Sequence, residues 1–167
     1  MTVANWYALH VRSRHEFVVC NELQRKGIDT FLPSITKLNQ WKDRKKNVEF
    51  PLFPGYLFVY LAPNPEEFSK AIKTQGTVTF VSLNPGCPTP VSPEEISSLK
   101  IMLESGEKID IYPHLKEGIS VRVKRGVFQW AEGILEKKDN QHEFIVSIKL
   151  LGRSVGVKIH ADDVEAA

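Results

Sequence analysis

The sequence predicts an α+β protein: a mostly antiparallel sheet flanked by helices, followed by a small SH3-like β-barrel. Three observations carry that reading. The first hundred or so residues alternate strand-like and helix-like segments in the order β-α-β-β-α-β-α, the pattern of helices packed on a small sheet. From about Glu104 to Lys116, "ESGEKIDIYPHLK", the hydrophobic periodicity lapses. Beyond it come short apolar runs separated by turns, "SVRV", "AEGIL", "EFIVSIKLL" and "SVGVKI", at the regular spacing of a barrel. The expected domains are therefore residues 1–104 and 117–167, with a linker at 105–116.

Each element has its own reason. "WYALHV" (6–11) is aromatic and β-branched, as a strand should be. Phe17, Val19, Cys20 and Leu23 then recur on one side of a 3.6-residue period that Gly27 ends, so a helix is expected from about Arg14 to Lys26. "DTFLPSI" reads as a short strand in which Pro33 marks an edge or a bulge. Residues 36–49, with five basic and two acidic side chains, read as a solvated hairpin tip. "NPEEFSKAIKTQG" carries helix punctuation: Asn64 as N-cap, Pro65 at the first position, Glu66 and Glu67 against the macrodipole, Gly76 at the end. "TVTFV" (77–81) is a further strand and "LNPGCPTP" a turn-rich loop. "SPEEISSLKIMLESG" repeats the start signal at Ser92 and Pro93 and aligns Ile96, Leu99 and Leu103 on one face.

One stretch stands out. "PLFPGYLFVYL" (51–61) places eight large apolar or aromatic side chains in eleven positions, beside two prolines and a glycine. Side chains alternate along a strand, so Leu57, Val59 and Leu61 share one face while Tyr56, Phe58 and Tyr60 share the other. The aliphatic face is an ordinary core. The aromatic face, with Phe53 on the lead-in, has the composition of a protein-interface anchor.

Composition excludes several classes. With 42% hydrophobic and 25% charged residues the chain is that of a folded globular protein. No apolar run approaches the ~20 residues that span a bilayer, and the first residues lack a signal-peptide layout. Cys20 and Cys87 stand far apart without companion ligands, so neither a disulfide framework nor a metal site is expected, and a reducing cytoplasm fits. The net charge of +2 hides an asymmetry, since residues 1–50 carry nine Lys/Arg against five Asp/Glu. That excess hints at a polyanion nearby. There is no Gly-x-Ser-x-Gly elbow, no phosphate loop and no His-Glu-x-x-His, and the five histidines are scattered. No enzyme and no cofactor are expected.

The last fifty residues hold a more specific signal. "EGISVRVKRGVFQWAEGILEK" gathers Gly118, Val121, Val123, Gly126, Phe128 and Gly133 in one unit that resembles the KOW motif. "WYALHVRSRHEFVVCNELQRKG", "PLFPGYLFVYL", "GTVTFVS" and "PTPVSPEEI" follow the order seen in the NusG family of transcription elongation and antitermination factors. The resemblance runs nearly the full length and implies an NGN domain followed by a KOW domain. By that resemblance the first domain binds RNA polymerase on the clamp helices of its largest subunit, through Phe53, Pro54, Gly55, Tyr56 and Phe58. Arg12, Arg14, Arg25 and Lys26 form the candidate face toward the displaced non-template DNA strand.

"PLFPGYLF", with Gly126-Val127-Phe128 where the family has Gly-Pro-Phe, is similar to the specialised, RfaH-like branch of operon-restricted antiterminators. Those differences bear on whether the barrel contacts Rho or a small-subunit ribosomal protein. A rival reading is a translation-associated RNA-binding KOW protein, against which the Phe-Pro-Gly-Tyr domain argues. Some RfaH-type proteins fold the C-terminal domain as a helical hairpin. Here the β form is expected, because residues 144–159 are rich in Val, Ile and Phe and contain Gly152 and Gly156.

Overall fold

The computed structural model describes residues 3–41 and 44–167, with the backbone alone at 38–41, 44–46 and 138. Contacts divide the chain into two compact units, Met1–Pro90 and Val91–Ala167. In chain order the first holds β1 (Asn5–Val11), α1 (Glu16–Arg25), β2 (Asp29–Phe31), β3 (Ser34–Trp41), β4 (Arg44–Pro51), β5 (Tyr56–Leu61), α2 (Pro65–Ile72) and β6 (Thr77–Phe80). A two-residue β7 (Pro90–Val91) falls at the boundary.

The sheet of the first unit runs β2-β5-β1-β6, and each of these neighbours is antiparallel. Tyr7, Leu9 and Val11 of β1 and Leu57, Val59 and Leu61 of β5 point to one face, where Val19, Cys20 and Leu23 of α1 and Ala71 of α2 cover them. Tyr7, Phe68 and Phe80 complete that core edge to face, with centroids 5.2 to 6.1 Å apart. Leu9, Leu23 and Leu57 are wholly enclosed; each such side chain contributes ~1.5–3 kcal/mol. Cys20 lies in this core, and burial pushes its thiol pKa up. It is a packing residue.

The helices follow their punctuation, with instructive differences at the ends. Asn64 Oδ1 accepts from the Glu67 N–H at 2.9 Å, the expected N-cap of α2. Ser92 does not cap in this way, because its hydroxyl donates to Glu94 Oε2 at 2.8 Å instead. Helix α1 starts at Glu16 rather than near Arg14, whose φ of 66° is left-handed and cannot belong to the helix. The segment "DTFLPSI" divides: β2 joins the main sheet, whereas β3 leaves it and pairs with β4 from Ser34↔Pro51 to Trp41↔Arg44. Pro33 has no N–H to continue a ladder, so the break falls there. Of the expected basic tip, Lys42 and Asp43 lie outside the described residues.

The second unit holds α3 (Pro93–Glu104), β8 (Asp110–Tyr112), β9 (Ile119–Val123), β10 (Glu132–Lys138), β11 (Gln141–Ile148), β12 (Arg153–Ile159) and β13 (Val164–Ala166). Its strands form one antiparallel sheet in the order β13-β9-β10-β11-β12-β8. The expected β form is the one present, and no α-helix occupies residues 119–166.

Two boundaries differ from the sequence reading. Helix α3, expected in the first domain, packs on β10 and β11 in the second unit. Ser98 Oγ accepts from the Glu132 N–H at 2.9 Å, and Glu95 Oε2 accepts from the Lys149 N–H. Its buried face is Ile96, Leu99 and Met102, with Leu103 only half-buried. Part of the expected linker is also a strand, since β8 pairs with β12 from Ser154↔Tyr112 to Gly156↔Asp110. A three-residue edge strand is too short for hydrophobic periodicity to reveal.

An acidic cluster holds β8 in place. Tyr112 Oη donates to Glu143 Oε1. The Lys116 ammonium lies 3.1 Å from Glu136 Oε2, without the alignment of a hydrogen bond, and 4.7 Å from the centre of the Tyr112 ring. Burial raises the Glu143 carboxyl above its ordinary value of 4.5, the Tyr112 hydrogen bond opposes this, and Asp110 and Glu136 add to the rise. Burial and the facing Glu143 carboxylate likewise raise the Tyr112 phenol. A carboxyl whose pKa is higher folded than unfolded adds stability below its unfolded value, and that stability is lost as pH rises through the folded one. The parent should therefore lose stability relative to Glu143→Gln as pH rises above the ordinary carboxyl value of 4.5. Urea midpoints of the two proteins would show it; a difference that does not change with pH would contradict it.

Candidate protein-interaction face

The face of the first sheet opposite its helices is aromatic, and strand register explains why. Trp6 stands opposite Tyr60, Ala8 opposite Phe58 and His10 opposite Tyr56 across β1 and β5. Phe31 of β2 stands opposite Phe58. Directly paired residues share a face, so one surface collects Trp6, Phe31, Tyr60, Phe58, His10 and Tyr56. Trp6 meets Tyr60 at 5.2 Å and Phe31 at 6.4 Å, Phe31 meets Phe58 at 6.1 Å, and His10 meets Tyr56 at 5.2 Å between ring centres.

The five residues expected to contact polymerase do not share one environment. Phe53 and Phe58 are 1% and 0% exposed, and pack edge to face with centroids 6.5 Å apart. In this structure neither offers its ring to a partner. Phe53 is tucked in because the chain turns sharply after it, where the Tyr56 N–H donates back to the Phe53 carbonyl at 3.0 Å. Pro54 at the tip is exposed, and Gly55 and Tyr56 are half-buried. Tyr60, 39% exposed, is the most open ring of the strand. Sequence reasoning placed Tyr60 on this face but omitted it from the site, and it missed Trp6 and Phe31. The signal for Trp6 was the two-residue alternation of "WYALHV", which puts it opposite in facing to Tyr7.

The Pro54-Gly55 turn is anchored from two sides. Gly55 has φ +87°, a conformation that L side chains rarely adopt. Its carbonyl accepts from the Val11 N–H at 2.8 Å, and its N–H donates to Glu16 Oε2 at 2.9 Å. Glu16 is only 5% exposed, a buried charge opening α1 that sequence reasoning did not single out.

The four basic residues expected near DNA also separate. Arg12 and Arg14 are exposed on the connection between β1 and α1. Arg25 pairs with Glu22 at 2.9 Å on the surface of α1. Lys26 has structural work: its ammonium donates to the Lys70 carbonyl at 3.1 Å and to Thr74 Oγ1 at 2.8 Å, satisfying groups at the end of α2.

In the second unit the motif residues are mainly packing groups. Val121, Val123 and Phe128 are buried. Gly126 takes a left-handed turn with φ +90°. Gly118 and Gly133 sit where strands approach closely: a Cβ on Gly118 would lie 2.5 Å from the Leu135 carbonyl oxygen, and one on Gly133 would overlap that of Ile145. Beside them Trp130 is 72% exposed, with a left-handed φ of 80°. Among the described residues no group of His, Cys, Asp and Glu could hold a metal ion, and no helix is long and apolar enough to cross a membrane.

These features define an α+β chain of two strand-rich units, the first with a helix-covered face and an aromatic face. A family model described as "Transcription termination factor nusG" matches residues 4–100. The chain belongs to the NusG family. A relative from Chlamydia trachomatis, a transcription termination/antitermination protein NusG, is 30% identical over 96% of this chain and 91% of its own length. The NusG of Borreliella burgdorferi is 26% identical over 96% of this chain and 97% of its own. Among solved structures, one described as "Domain interaction in Thermotoga maritima NusG" has a TM-score of 0.55 at 23% identity. It covers 97% of this chain and 96% of that one, and shows the fold.

Proposed function

We propose that the chain is a transcription elongation and antitermination factor that binds RNA polymerase across its cleft and suppresses pausing or termination. The observation that carries this is the family match over residues 4–100, the segment whose sheet displays the aromatic face. The clamp helices of the largest subunit are the partner for the exposed part of that face: Tyr56, Tyr60 and the Pro54-Gly55 turn. No chemistry is required of the protein. Binding the closed clamp better than the open one shifts the polymerase between states, and ~1.4 kcal/mol of differential affinity shifts it tenfold. Arg12 and Arg14, both exposed on the connection between β1 and α1, are the residues to meet a non-template strand.

Two finer readings go with it. The "PLFPGYLF" stretch and Gly126-Val127-Phe128 favour a role restricted to particular operons. The KOW-like motif makes the second unit the arm for a further partner, either Rho or a small-subunit ribosomal protein.

The purified protein is expected to co-elute with core RNA polymerase, and Tyr56→Ala with Tyr60→Ala to weaken that binding by ~2 kcal/mol or more, as interface aromatics do. A double variant that binds as well as the parent would refute the assignment of this face.

A further inference from the structure

We infer that Glu16 is a positioning residue for the polymerase-contacting turn, an inference that rests on the reading just given. Glu16 lies in α1, 39 residues before the backbone N–H that it holds. A carboxylate removed from water is costly unless hydrogen bonds replace those it gives up. Here the replacement is the Gly55 N–H, at 2.9 Å. The first turn of a helix is also where the backbone dipoles favour a negative charge, so this position tolerates a buried carboxylate well.

The geometry gives the bond a definite job. Gly55 is the tip residue between exposed Pro54 and half-buried Tyr56. Its two backbone groups are tied to two different elements, the carbonyl to Val11 at the end of β1 and the N–H to Glu16 at the start of α1. Together they fix the tip in position and rotation, and so fix the direction in which Tyr56 leaves the turn, with its ring against His10. With the Glu16 acceptor gone, the Gly55 N–H loses its partner, and the tip is left with the Val11 bond and the Tyr56–Phe53 turn bond, so it loosens. The core face of α1, Val19, Cys20 and Leu23, does not involve this carboxylate.

Three variants of the full chain test this: Glu16→Gln, which keeps an oxygen acceptor at the same reach; Glu16→Asp, which keeps the charge but falls one methylene short; and Glu16→Ala. Two readouts are taken on each, affinity for core RNA polymerase and the exchange protection of the Gly55 amide. Asp and Ala should each weaken affinity about tenfold, the scale of one buried hydrogen bond, and should lower Gly55 protection. Gln should stay near the parent in both. Should the Ala variant not fold, the Asp variant decides, since aspartate is favourable at a helix start. Lowered Gly55 protection with unchanged affinity would overturn the inference, as would full protection in the Asp variant. A parent that does not bind polymerase would instead sink the functional reading, while Gly55 protection still reports whether Glu16 holds the turn.

Discussion

Gly133→Ala is expected to destabilise the second unit by about 3 kcal/mol, the upper end of what overpacking usually does. Gly133 pairs with Val121 on one side, and the β11 backbone passes close on the other. A Cβ there would overlap the Ile145 carbonyl oxygen and lie 3.0 Å from the Phe144 ring. Neither neighbour can retreat cheaply. The carbonyl belongs to the β10–β11 ladder, and Phe144 and Ile145 are wholly buried. The measurement is a denaturation midpoint on the purified variant. A midpoint near the parent's would show that β10 and β11 can part without loss.

Phe53→Ala and Phe58→Ala are each expected to lower stability by about 3–5 kcal/mol, the range for removing an enclosed phenylalanine. The two rings meet edge to face, and Phe58 also stacks on Phe31. Tyr56→Ala should cost less, about 1 kcal/mol, because Tyr56 is only half-buried and its ring pairs with His10 at the edge of the core. Thermal unfolding of the three single variants separates them. Equal melting temperatures would mean that Phe53 and Phe58 are not the enclosed groups described here.

Those contrasts show which features were legible in the sequence. The strands around Tyr7 and Val59, the start of helix α2 with its Asn64 cap, and the short strands after Gly118 are local patterns, and each appears where periodicity and punctuation placed it, although α2 ends at Ile72 and not at Gly76. The membership of α3 was not legible. Its apolar face specifies that it must be covered, but not by which sheet, and Ser98 and Glu95 find their partners 34 and 54 residues later. The aromatic face was half legible. Alternation separated Tyr56 and Tyr60 from Leu57 and Val59, yet it says nothing of how a turn folds Phe53 inward.

The sequence by itself determined the fold class, the family and the order of the three helices and the main-sheet strands, but not strands β3, β4, β7 and β8, because caps, strand alternation and turn residues act over a few positions. Only the tertiary structure decided which aromatics remain open, that Lys26 closes the end of α2, that part of the expected linker is an edge strand, and that the Glu16 carboxylate holds the turn at Gly55. The physical reason is separation along the chain. The last three of those outcomes depend on a backbone group or side chain some forty residues away in sequence, and no local pattern encodes which distant donor or acceptor will be left unpaired until the sheets have closed.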